Sequence, residues 1–207
     1  MFTGIVTALG VIAERQPDPS GDVRLVIQSD GLDVAGIALG DSICTSGVCL
    51  TAVELGTRGF SADASNETLS CTTLGDLAVG SRVNLEPSLT LSQPLGGHLV
   101  SGHVDGVASV VSRYDDARSV RLRFRLPPGL SRYVARKGSI CVDGVSLTVN
   151  DVAGDEFEVN IVPHTLEATT IGDYVAGTRV NIEVDQMARY VERLLGDRLL
   201  EDRDGER

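Results

Sequence analysis

The chain has 207 residues, of which 42% are hydrophobic, and it carries a formal net charge of −11 with Lys137 as its only lysine. This acidic balance argues against nucleic-acid binding, which draws on a basic patch. No apolar run approaches the roughly 18 residues of a membrane-spanning helix, and the N-terminus lacks the charged and long apolar regions of a signal peptide. We therefore expect no membrane contact and a cytoplasmic location.

In chain order, the sequence consists mainly of short segments that favour β-strands. They are rich in β-branched residues, and Gly, Asp, Asn and Pro clusters separate them. The predicted strands are Val23–Gln28, Ser42–Cys44, Leu50–Val53, Arg82–Leu85, Ser119–Arg125 and Phe157–Val162. Their spacing is typical of an all-β barrel or sandwich. Two further stretches, Glu67–Leu74 and His164–Ile171, could form short helices capped by threonine.

The end of the chain predicts a helix that begins after Asp185, a suitable N-cap residue. Five apolar residues fall on one face of this helix: Met187, Tyr190, Val191, Leu194 and Leu195. An isolated helix of this length is marginal in water, so its apolar face needs a surface. That surface is either the helix's own barrel or another copy of the chain. We expect the charged segment from Asp197 to Arg207 to fray.

The sequence is internally duplicated. Residues Gly40–Glu86 align without a gap with Lys137–Glu183, at a constant offset of 97 and with 19 identities in 47 positions. Gly4 in TGIVTAL matches Gly102 in SGHVDGV at an offset of 98. We therefore divide the chain into an N-terminal β-unit (1–95), a similar C-terminal β-unit (96–184) and a helix with a charged tail (185–207).

The four cysteines do not indicate a metal site. The spacing of Cys44, Cys49, Cys71 and Cys141 matches no zinc signature. A disulfide framework is not expected in a chain of this size without export signals. Cys44 and Cys141 are equivalent in the repeat and lie in apolar runs, so we expect both in the core.

Several longer strings identify a family. They are MFTGIV at the start, SGVCLT at Ser46–Thr51, GGHLVSGHVDG at Gly96–Gly106, DGVSLT at Asp143–Thr148, PHTLE at Pro163–Glu167 and VNIEVD at Val180–Asp185. With the duplication, they make residues 1 to about 195 resemble the riboflavin synthases of the alpha-chain type. Two positions depart from the family pattern, because Ser46 stands where Asn is common and Asn66 where Pro is common.

The resemblance implies a fold, a reaction and an assembly. The fold is two similar six-stranded Greek-key barrels and a C-terminal helix. The enzyme is a transferase that dismutates two molecules of 6,7-dimethyl-8-ribityllumazine, giving riboflavin and 5-amino-6-ribitylaminouracil without a metal or cofactor. The family forms homotrimers in which each site lies between the N-barrel of one subunit and the C-barrel of a neighbour. Lumazine synthase is a possible further partner.

The chemistry requires removal of a proton from the C7 methyl group of one lumazine and addition of a nucleophile at C7 of the other. Cys49 and Ser146 occupy equivalent positions and could assist either step, although a small strand residue needs no such role. Histidine is a common proton-transfer group in enzymes, so His103 is the first candidate for proton transfer. Thr148 could bond the ring edge, and Asp185 serves equally well near the site or as an N-cap.

Binding residues carried over from the family form two equivalent sets. The set of the first copy is Gly4, Ile5, Val6, Cys49, Leu50, Thr51, Asp63, Ala64, Ser65, Asn66, Glu67 and Thr68. The set of the second copy is Gly102, His103, Val104, Lys137, Ser146, Leu147, Thr148, Asn160, Ile161, Val162, Pro163, His164 and Thr165. We expect no metal ligands among them.

Four equivalent pairs differ in chemistry: Cys49/Ser146, Ile5/His103, Ser46/Asp143 and Glu67/His164. We hypothesise that these differences make one pocket fit the donor lumazine and the other fit the acceptor. The competing interpretations are a non-catalytic carrier or antenna that binds lumazine or flavin on the same barrels, and a β-barrel interaction module. A carrier could dispense with the His103 loop, the second pocket and the terminal helix, all of which this chain has.

Overall fold

The structure is a computed structural model that describes the backbone of residues 1–204 and the side chains of residues 1–196. Twelve strands in this part of the chain form two closed antiparallel barrels, so the predicted all-β architecture is confirmed. The first barrel contains β1 (Ala8–Pro17), β2 (Val23–Gln28), β3 (Ser42–Thr45), β4 (Val48–Gly56), β5 (Gly59–Ala64) and β6 (Arg82–Pro87). The second contains β7 (Gly106–Asp116), β8 (Ser119–Arg125), β9 (Ser139–Val142), β10 (Val145–Ala153), β11 (Glu156–Ile161) and β12 (Arg179–Val184).

Both barrels have the same strand order and close with the same irregularities. The first runs β1-β2-β5-β4-β3-β6, and the second runs in the matching order β7-β8-β11-β10-β9-β12. The register shifts between Ile12 and Glu14 and between Ala52 and Glu54. Matching shifts occur in β7 and β10 of the second barrel. Such bulges bend a strand and increase its twist, which helps a six-stranded sheet to close.

Each barrel has its own apolar core, because alternate strand residues point inward. In β2, Val23, Leu25 and Ile27 are buried and the residues between them are more exposed. In the second barrel Phe124 stacks on Phe157, with ring centroids 5.1 Å apart. Burying an aromatic side chain of this size stabilises the fold by about 2 kcal/mol or more.

The two barrels meet around a local twofold relation. The β3–β4 turn at Ser46-Gly47 lies against the β9–β10 turn at Asp143-Gly144, and all four residues have positive φ. This is the pattern of a two-residue type I′ hairpin turn, which glycine at the second position favours. A Cβ on Gly47 would lie 2.9 Å from the backbone nitrogen of Gly144. Close packing of the turns therefore requires both glycines.

Two equivalent asparagines connect the barrels at this junction. Asn84 Nδ2 donates to the Asp143 carbonyl at 2.8 Å, and its Oδ1 accepts from the Thr170 backbone N–H at 2.8 Å. Asn181 makes the matching bonds to the Ser46 carbonyl and the Thr73 N–H at 2.7 and 2.8 Å. Phe2 and Val100 add an antiparallel bridge. The buried side-chain amides of Asn84 and Asn181 are thus satisfied by groups of the other barrel.

The two predicted short helices are present as α1 (Asn66–Cys71) and α2 (Pro163–Ala168). Threonine caps the C-terminal end of each helix: Thr72 and Thr169 are the C-cap residues, and their hydroxyls donate to the Thr68 and Thr165 carbonyls at 2.7 Å. At the N-terminal ends the cap is not threonine, since Ser65 caps α1 and α2 begins with Pro163 without a side-chain cap. Thr72 and Thr169 also cap the short 3₁₀ turns that follow each helix.

The terminal helix α3 extends over Gln186–Asp204. Asp185 is its N-cap, because Oδ1 accepts from the Met187 N–H at 3.0 Å. None of the five apolar stripe residues is covered by the helix's own barrel, since Leu194 is 67% exposed and the others are at least half exposed. The alternative in which the stripe packs on that barrel is therefore wrong. The helix continues through Asp204, so the fraying predicted from Asp197 onward is wrong up to that residue, and residues 205–207 lie outside the described part of the chain.

None of the described helices is long and apolar enough to cross a membrane.

Candidate functional site

The segments before β1 and β7 each cross to the opposite barrel. The Ser146 N–H in β10 donates to the Gly4 carbonyl at 2.8 Å, and the Cys49 N–H in β4 donates to the Gly102 carbonyl at 2.8 Å. Val6 packs against the second core and Val104 against the first. We call Gly4–Val6 and Gly102–Val104 the crossing segments. Each one contacts the barrel formed by the other copy of the repeat: Gly4–Val6 the second barrel and Gly102–Val104 the first.

These contacts define two candidate pockets. The first-barrel pocket combines β4, β5 and α1 with Gly102–Val104, and the second-barrel pocket combines β10, β11 and α2 with Gly4–Val6. The repeat groups each three-residue segment with its own copy, whereas the structure places it beside strands of the other copy. A Cβ on Gly4 would lie 2.5 Å from Ser146 Cβ, and one on Gly102 would lie 2.7 Å from Cys49 Cβ. Only glycine permits this approach.

Buried glutamates at the ends of β6 and β12 hold the crossing segments. The Glu86 carboxylate accepts from the Thr3 and Gly4 N–H groups at 2.7 and 3.0 Å. The Glu183 carboxylate accepts in the same way from the N–H groups of Ser101, Gly102 and His103. Burial raises the pKa of Glu86 despite these bonds. Sequence reasoning missed both residues, although they are identical between the repeats in the strings VNLE and VNIE.

In the first-barrel pocket, Cys49 and Thr51 lie on the outer face of β4 and alternate with buried Leu50 and Ala52. The Leu50 and Ala64 side chains belong to the barrel core, so these two predicted binding residues offer a ligand only backbone groups. Asp63 is held by Arg24 through two bonds of 2.7 and 3.0 Å. This ion pair lowers the pKa of Asp63.

The α1 candidates are partly engaged in local bonds. The Ser65 side chain accepts from the Thr68 N–H at 3.1 Å, and the two hydroxyl groups lie 3.0 Å apart. Glu67 is exposed and accepts from the Cys71 thiol at 3.4 Å. The Asn66 N–H donates to Asp22 at 2.9 Å, a bond that proline cannot make. Any residue except proline can make this backbone bond, so it is compatible with asparagine here without requiring it.

In the second-barrel pocket, Ser146 makes a short bond that the sequence did not predict. Its hydroxyl oxygen lies 2.6 Å from Nδ1 of His98, a residue that we did not include in the binding set. Burial lowers the pKa of His98, while the carboxylates of Asp185 and Glu183 oppose that shift. Thr148, two residues along β10, is exposed on the same strand.

Asn160 and the residues after it complete this pocket. Asn160 Oδ1 is buried without a hydrogen-bond partner in the described structure, so an acceptor in the pocket is available for a ligand. Ile161 belongs to the core and Leu147 packs partly against it, whereas Val162, Pro163 and His164 are exposed and Thr165 is half-buried. Lys137 is exposed, and its backbone N–H donates to the carbonyl of Val149, next to Thr148.

The three remaining candidates are His103, Ile5 and Asp185, and they do not all lie beside the same pocket. His103 is exposed and directly follows Gly102, whose carbonyl accepts from the Cys49 N–H, so it lies beside the first-barrel pocket. The Ile5 side chain is 47% exposed beside the second-barrel pocket. Asp185 caps α3 and lies near enough to His98 to affect its pKa. The catalytic candidates are therefore divided between two pockets, with Cys49 and His103 in one and Ser146 and Thr148 in the other.

One of the four unequal pairs does not contribute to the pockets. Ser46 and Asp143 are buried at the barrel junction, where each accepts a backbone N–H from β6 or β12. Asp143 also accepts from the hydroxyl of Tyr174. Burial raises the pKa of Asp143 to about 7. The side chains of this pair bond at the barrel junction and lie in neither of the two candidate pockets, so the structure gives no support to a role of this pair in distinguishing donor from acceptor.

The comparison with protein families agrees with the duplication. The model described as the lumazine binding domain matches residues 3–88 and again residues 101–185. Riboflavin synthase of Photobacterium phosphoreum is 48% identical over 195 residues, covering 94% of this chain and 89% of that protein. The chain belongs to the riboflavin synthase family. The family's riboflavin synthase from Brucella abortus (strain 2308) is 47% identical, covering 94% of this chain and 98% of that protein.

Solved structures show the same architecture. LumP in complex with riboflavin superimposes on this family member with a TM-score of 0.80 and 26% identity, covering 89% of this chain and 99% of that chain. LumP in complex with 6,7-dimethyl-8-(1'-D-ribityl) lumazine also gives a TM-score of 0.80, at 24% identity, and supports the fold alone. Among the described residues, no group of three His, Cys, Asp or Glu side chains could hold a metal ion. All four cysteines are free, and Cys44 and Cys141 are buried as predicted.

Proposed function

We propose that this chain is a transferase that makes riboflavin from two molecules of 6,7-dimethyl-8-ribityllumazine, with 5-amino-6-ribitylaminouracil as the second product. The observation that carries the proposal is the pair of equivalent pockets, each completed by a crossing segment from the other half of the chain. Two similar pockets suit a reaction between two identical molecules. Relatives named riboflavin synthase match nearly the whole chain, and the neighbour LumP binds riboflavin.

The proposed chemistry depends mainly on placing two flat rings against each other. Holding both reactants in a reactive geometry replaces a bimolecular encounter and removes much of the entropic barrier. In the first-barrel pocket, Cys49 and His103 are the groups proposed to exchange protons with the ligand. In the second, Ser146 and Thr148 take that role, and the unpaired Oδ1 of Asn160 accepts a bond from the ligand. The exchange moves a four-carbon unit between identical molecules, so the proposal includes no metal or redox cofactor.

A homotrimer with sites between subunits is part of the proposal. The charged face of α3 is tied to its own barrel, since Arg189 pairs with Asp105 and Glu192 contacts Arg132 and Tyr133. The apolar stripe therefore points away from the subunit, with Tyr190 70% exposed. Stripes of this kind mark protein–protein contacts. A neighbouring subunit held at α3 would bring its N-barrel pocket to the C-barrel pocket of this chain.

Two finer points complete the proposal. We place the enzyme in the cytoplasm, which the four free cysteines support because thiols persist in a reducing compartment. Lumazine synthase is the proposed supplier of substrate, either free or in a larger assembly. A carrier or antenna role is less favourable, because it would require neither the His103 loop, nor the second pocket, nor α3.

The decisive experiment is an assay of the purified chain with 6,7-dimethyl-8-ribityllumazine, without added metal or cofactor. Absorbance and chromatography would follow both pyrimidine and flavin products. We expect one riboflavin for every two lumazines consumed. If lumazine binds but no riboflavin forms, the chain is a carrier and not an enzyme. If no pteridine binds, the interaction module is the remaining interpretation.

A further inference from the structure

We propose that His98 is a positioning residue that holds the Ser146 hydroxyl group and receives its proton during the reaction. This inference rests on the proposed function and deepens it, since it concerns the second-barrel pocket. The geometry that supports it is the 2.6 Å separation of His98 Nδ1 and Ser146 Oγ. This distance is at the short end for a side-chain hydrogen bond and fixes the serine rotamer.

The same backbone segment holds both partners. The His98 N–H donates to the Thr3 carbonyl at 3.1 Å, and the Ser146 N–H donates to the Gly4 carbonyl at 2.8 Å. Gly97 lets the backbone beside His98 approach closely, because a Cβ there would lie 2.9 Å from Ser146 Oγ. The backbones of His98 and Ser146 are therefore hydrogen-bonded to two adjacent residues, Thr3 and Gly4. These bonds position the imidazole next to the hydroxyl group.

The imidazole is suited to accept a proton and not to supply one. His98 is 9% exposed, and burial lowers its pKa, so the ring is neutral near pH 7. Its Nε2 is buried without a partner among the described residues. We assign the proton of the neutral ring to Nε2, so that Nδ1 accepts from the Ser146 hydroxyl. Asp185 and Glu183 stabilise the ring electrostatically once it is protonated.

The proton transfer balances without another reactant. Ser146 Oγ accepts a proton from the bound ligand, which keeps the electron pair, and the original hydroxyl proton moves to His98 Nδ1. The serine is neutral before and after, the ring becomes an imidazolium, and the reverse transfer restores the pair. His98 thus contributes to catalysis through Ser146 and has no contact with the ligand in this scheme.

The first-barrel equivalent of Ser146 is Cys49, whose own N–H donates to the Gly102 carbonyl. In the described structure, the short bond from an imidazole to this position occurs only in the second barrel. The inference therefore gives the two pockets different proton-transfer groups. It also provides a matched control, because Cys49 and Ser146 have the same place in their barrels.

The test is a set of double-mutant cycles on the full-length chain, with circular dichroism to confirm folding. We expect His98→Leu to lower kcat by about tenfold or more with little change in KM, as for the loss of acid–base assistance. His98→Asn offers an amide oxygen near the place of Nδ1 and should restore part of kcat. In a Ser146→Ala background His98→Leu should have little further effect, whereas in a Cys49→Ala background its full effect should remain.

Two further readouts distinguish a proton acceptor from a packing residue. The kcat of the wild type should fall as pH drops below the lowered pKa of His98, with Asp185 and Glu183 as the nearby charges, and His98→Asn should lack this acid limb. Nitrogen-15 NMR of labelled histidine should show the Nε2–H tautomer. Equal effects of His98→Leu in both backgrounds, or a change mainly in KM, would overturn the inference. If the wild type makes no riboflavin at all, the proposed function fails and this role fails with it.

Discussion

At the scale of single residues, equivalent positions of the two repeats have separated into two kinds. Cys49 and Ser146 face the pockets, whereas Ser46 and Asp143 face the junction and do the same structural task with different groups. The sequence alone cannot distinguish the pocket position from the junction position. In each barrel the two positions lie in one β-hairpin, three residues apart. The direction of each side chain determines whether it faces a pocket or the junction. That direction is set by the type I′ turn and by the alternation along the strand.

Asp143 should make the stability of the protein depend on pH. Its pKa is raised from 3.8 to about 7 by burial, so the folded state retains a proton that the unfolded chain has released. The contribution of the protonated Asp143 to the free energy of unfolding is therefore complete below about pH 4 and is lost as pH rises to about 7. Between pH 5 and 8 the wild type should lose about 2 kcal/mol of unfolding free energy relative to Asp143→Asn.

Urea unfolding at the two pH values measures this difference. Asparagine retains an oxygen for the Asn181 N–H, so Asp143→Asn should fold. Tyr174→Phe is the companion variant, since it removes the hydroxyl that donates to Asp143 and should raise the aspartate pKa further. An unfolding free energy that changes equally with pH in wild type and Asp143→Asn would show that Asp143 does not titrate in this range.

At the scale of elements, the crossing segments and α3 are the parts that the sequence described least well. Patterns of apolar residues predicted six of the twelve described strands and the start of α3, because those patterns reflect local backbone periodicity. They contained no information on which barrel a segment of three residues joins. That choice depends on the buried carboxylates of Glu86 and Glu183 and on the close approach that Gly4 and Gly102 permit.

The stripe on α3 leads to a prediction about assembly. Deleting residues 187–207 should convert a trimer into monomers with weak activity, because the exposed apolar face would be lost. The double variant Val191→Glu with Leu194→Glu should give the same result while retaining the helix, since charges cannot be buried in an apolar contact without a large cost. Light scattering measures the mass. Val79→Glu is the control, as Val79 is 62% exposed but lies outside α3; variants that stay trimeric would contradict this role of the stripe.

At the scale of the whole molecule, the duplication determined most of what could be predicted. The repeat gave two equivalent units and the strand pattern gave an all-β fold, while the family resemblance implied two barrels and the candidate residues of both pockets. The junction was not predictable, since Asn84 and Asn181 look like ordinary strand residues in the sequence. Both are 1% exposed and bond to the other barrel. The His98–Ser146 bond was missed for the same reason, because it joins residues 48 apart that meet only in the folded chain.

The asparagine bonds should make the two barrels unfold together. Asn84→Ala would leave the Thr170 N–H and the Asp143 carbonyl buried without partners. Each such group costs about 1–3 kcal/mol, so we expect Asn84→Ala to lower the unfolding free energy by about 2 kcal/mol or more. Asn181→Ala should have a similar effect, because its bonds to Thr73 and Ser46 are equivalent.

Combining the two substitutions tests the coupling directly. The wild type should unfold in one transition, and the double variant should show two transitions in denaturant followed by far-ultraviolet circular dichroism, because each barrel has its own core. Asn150→Ala is the control, since in β10 it is the Asn150 backbone carbonyl that accepts from Arg136. A single transition in the double variant, shifted but equally steep, would mean that the turn contacts at Gly47 and Gly144 and the Phe2–Val100 bridge couple the barrels without the asparagines.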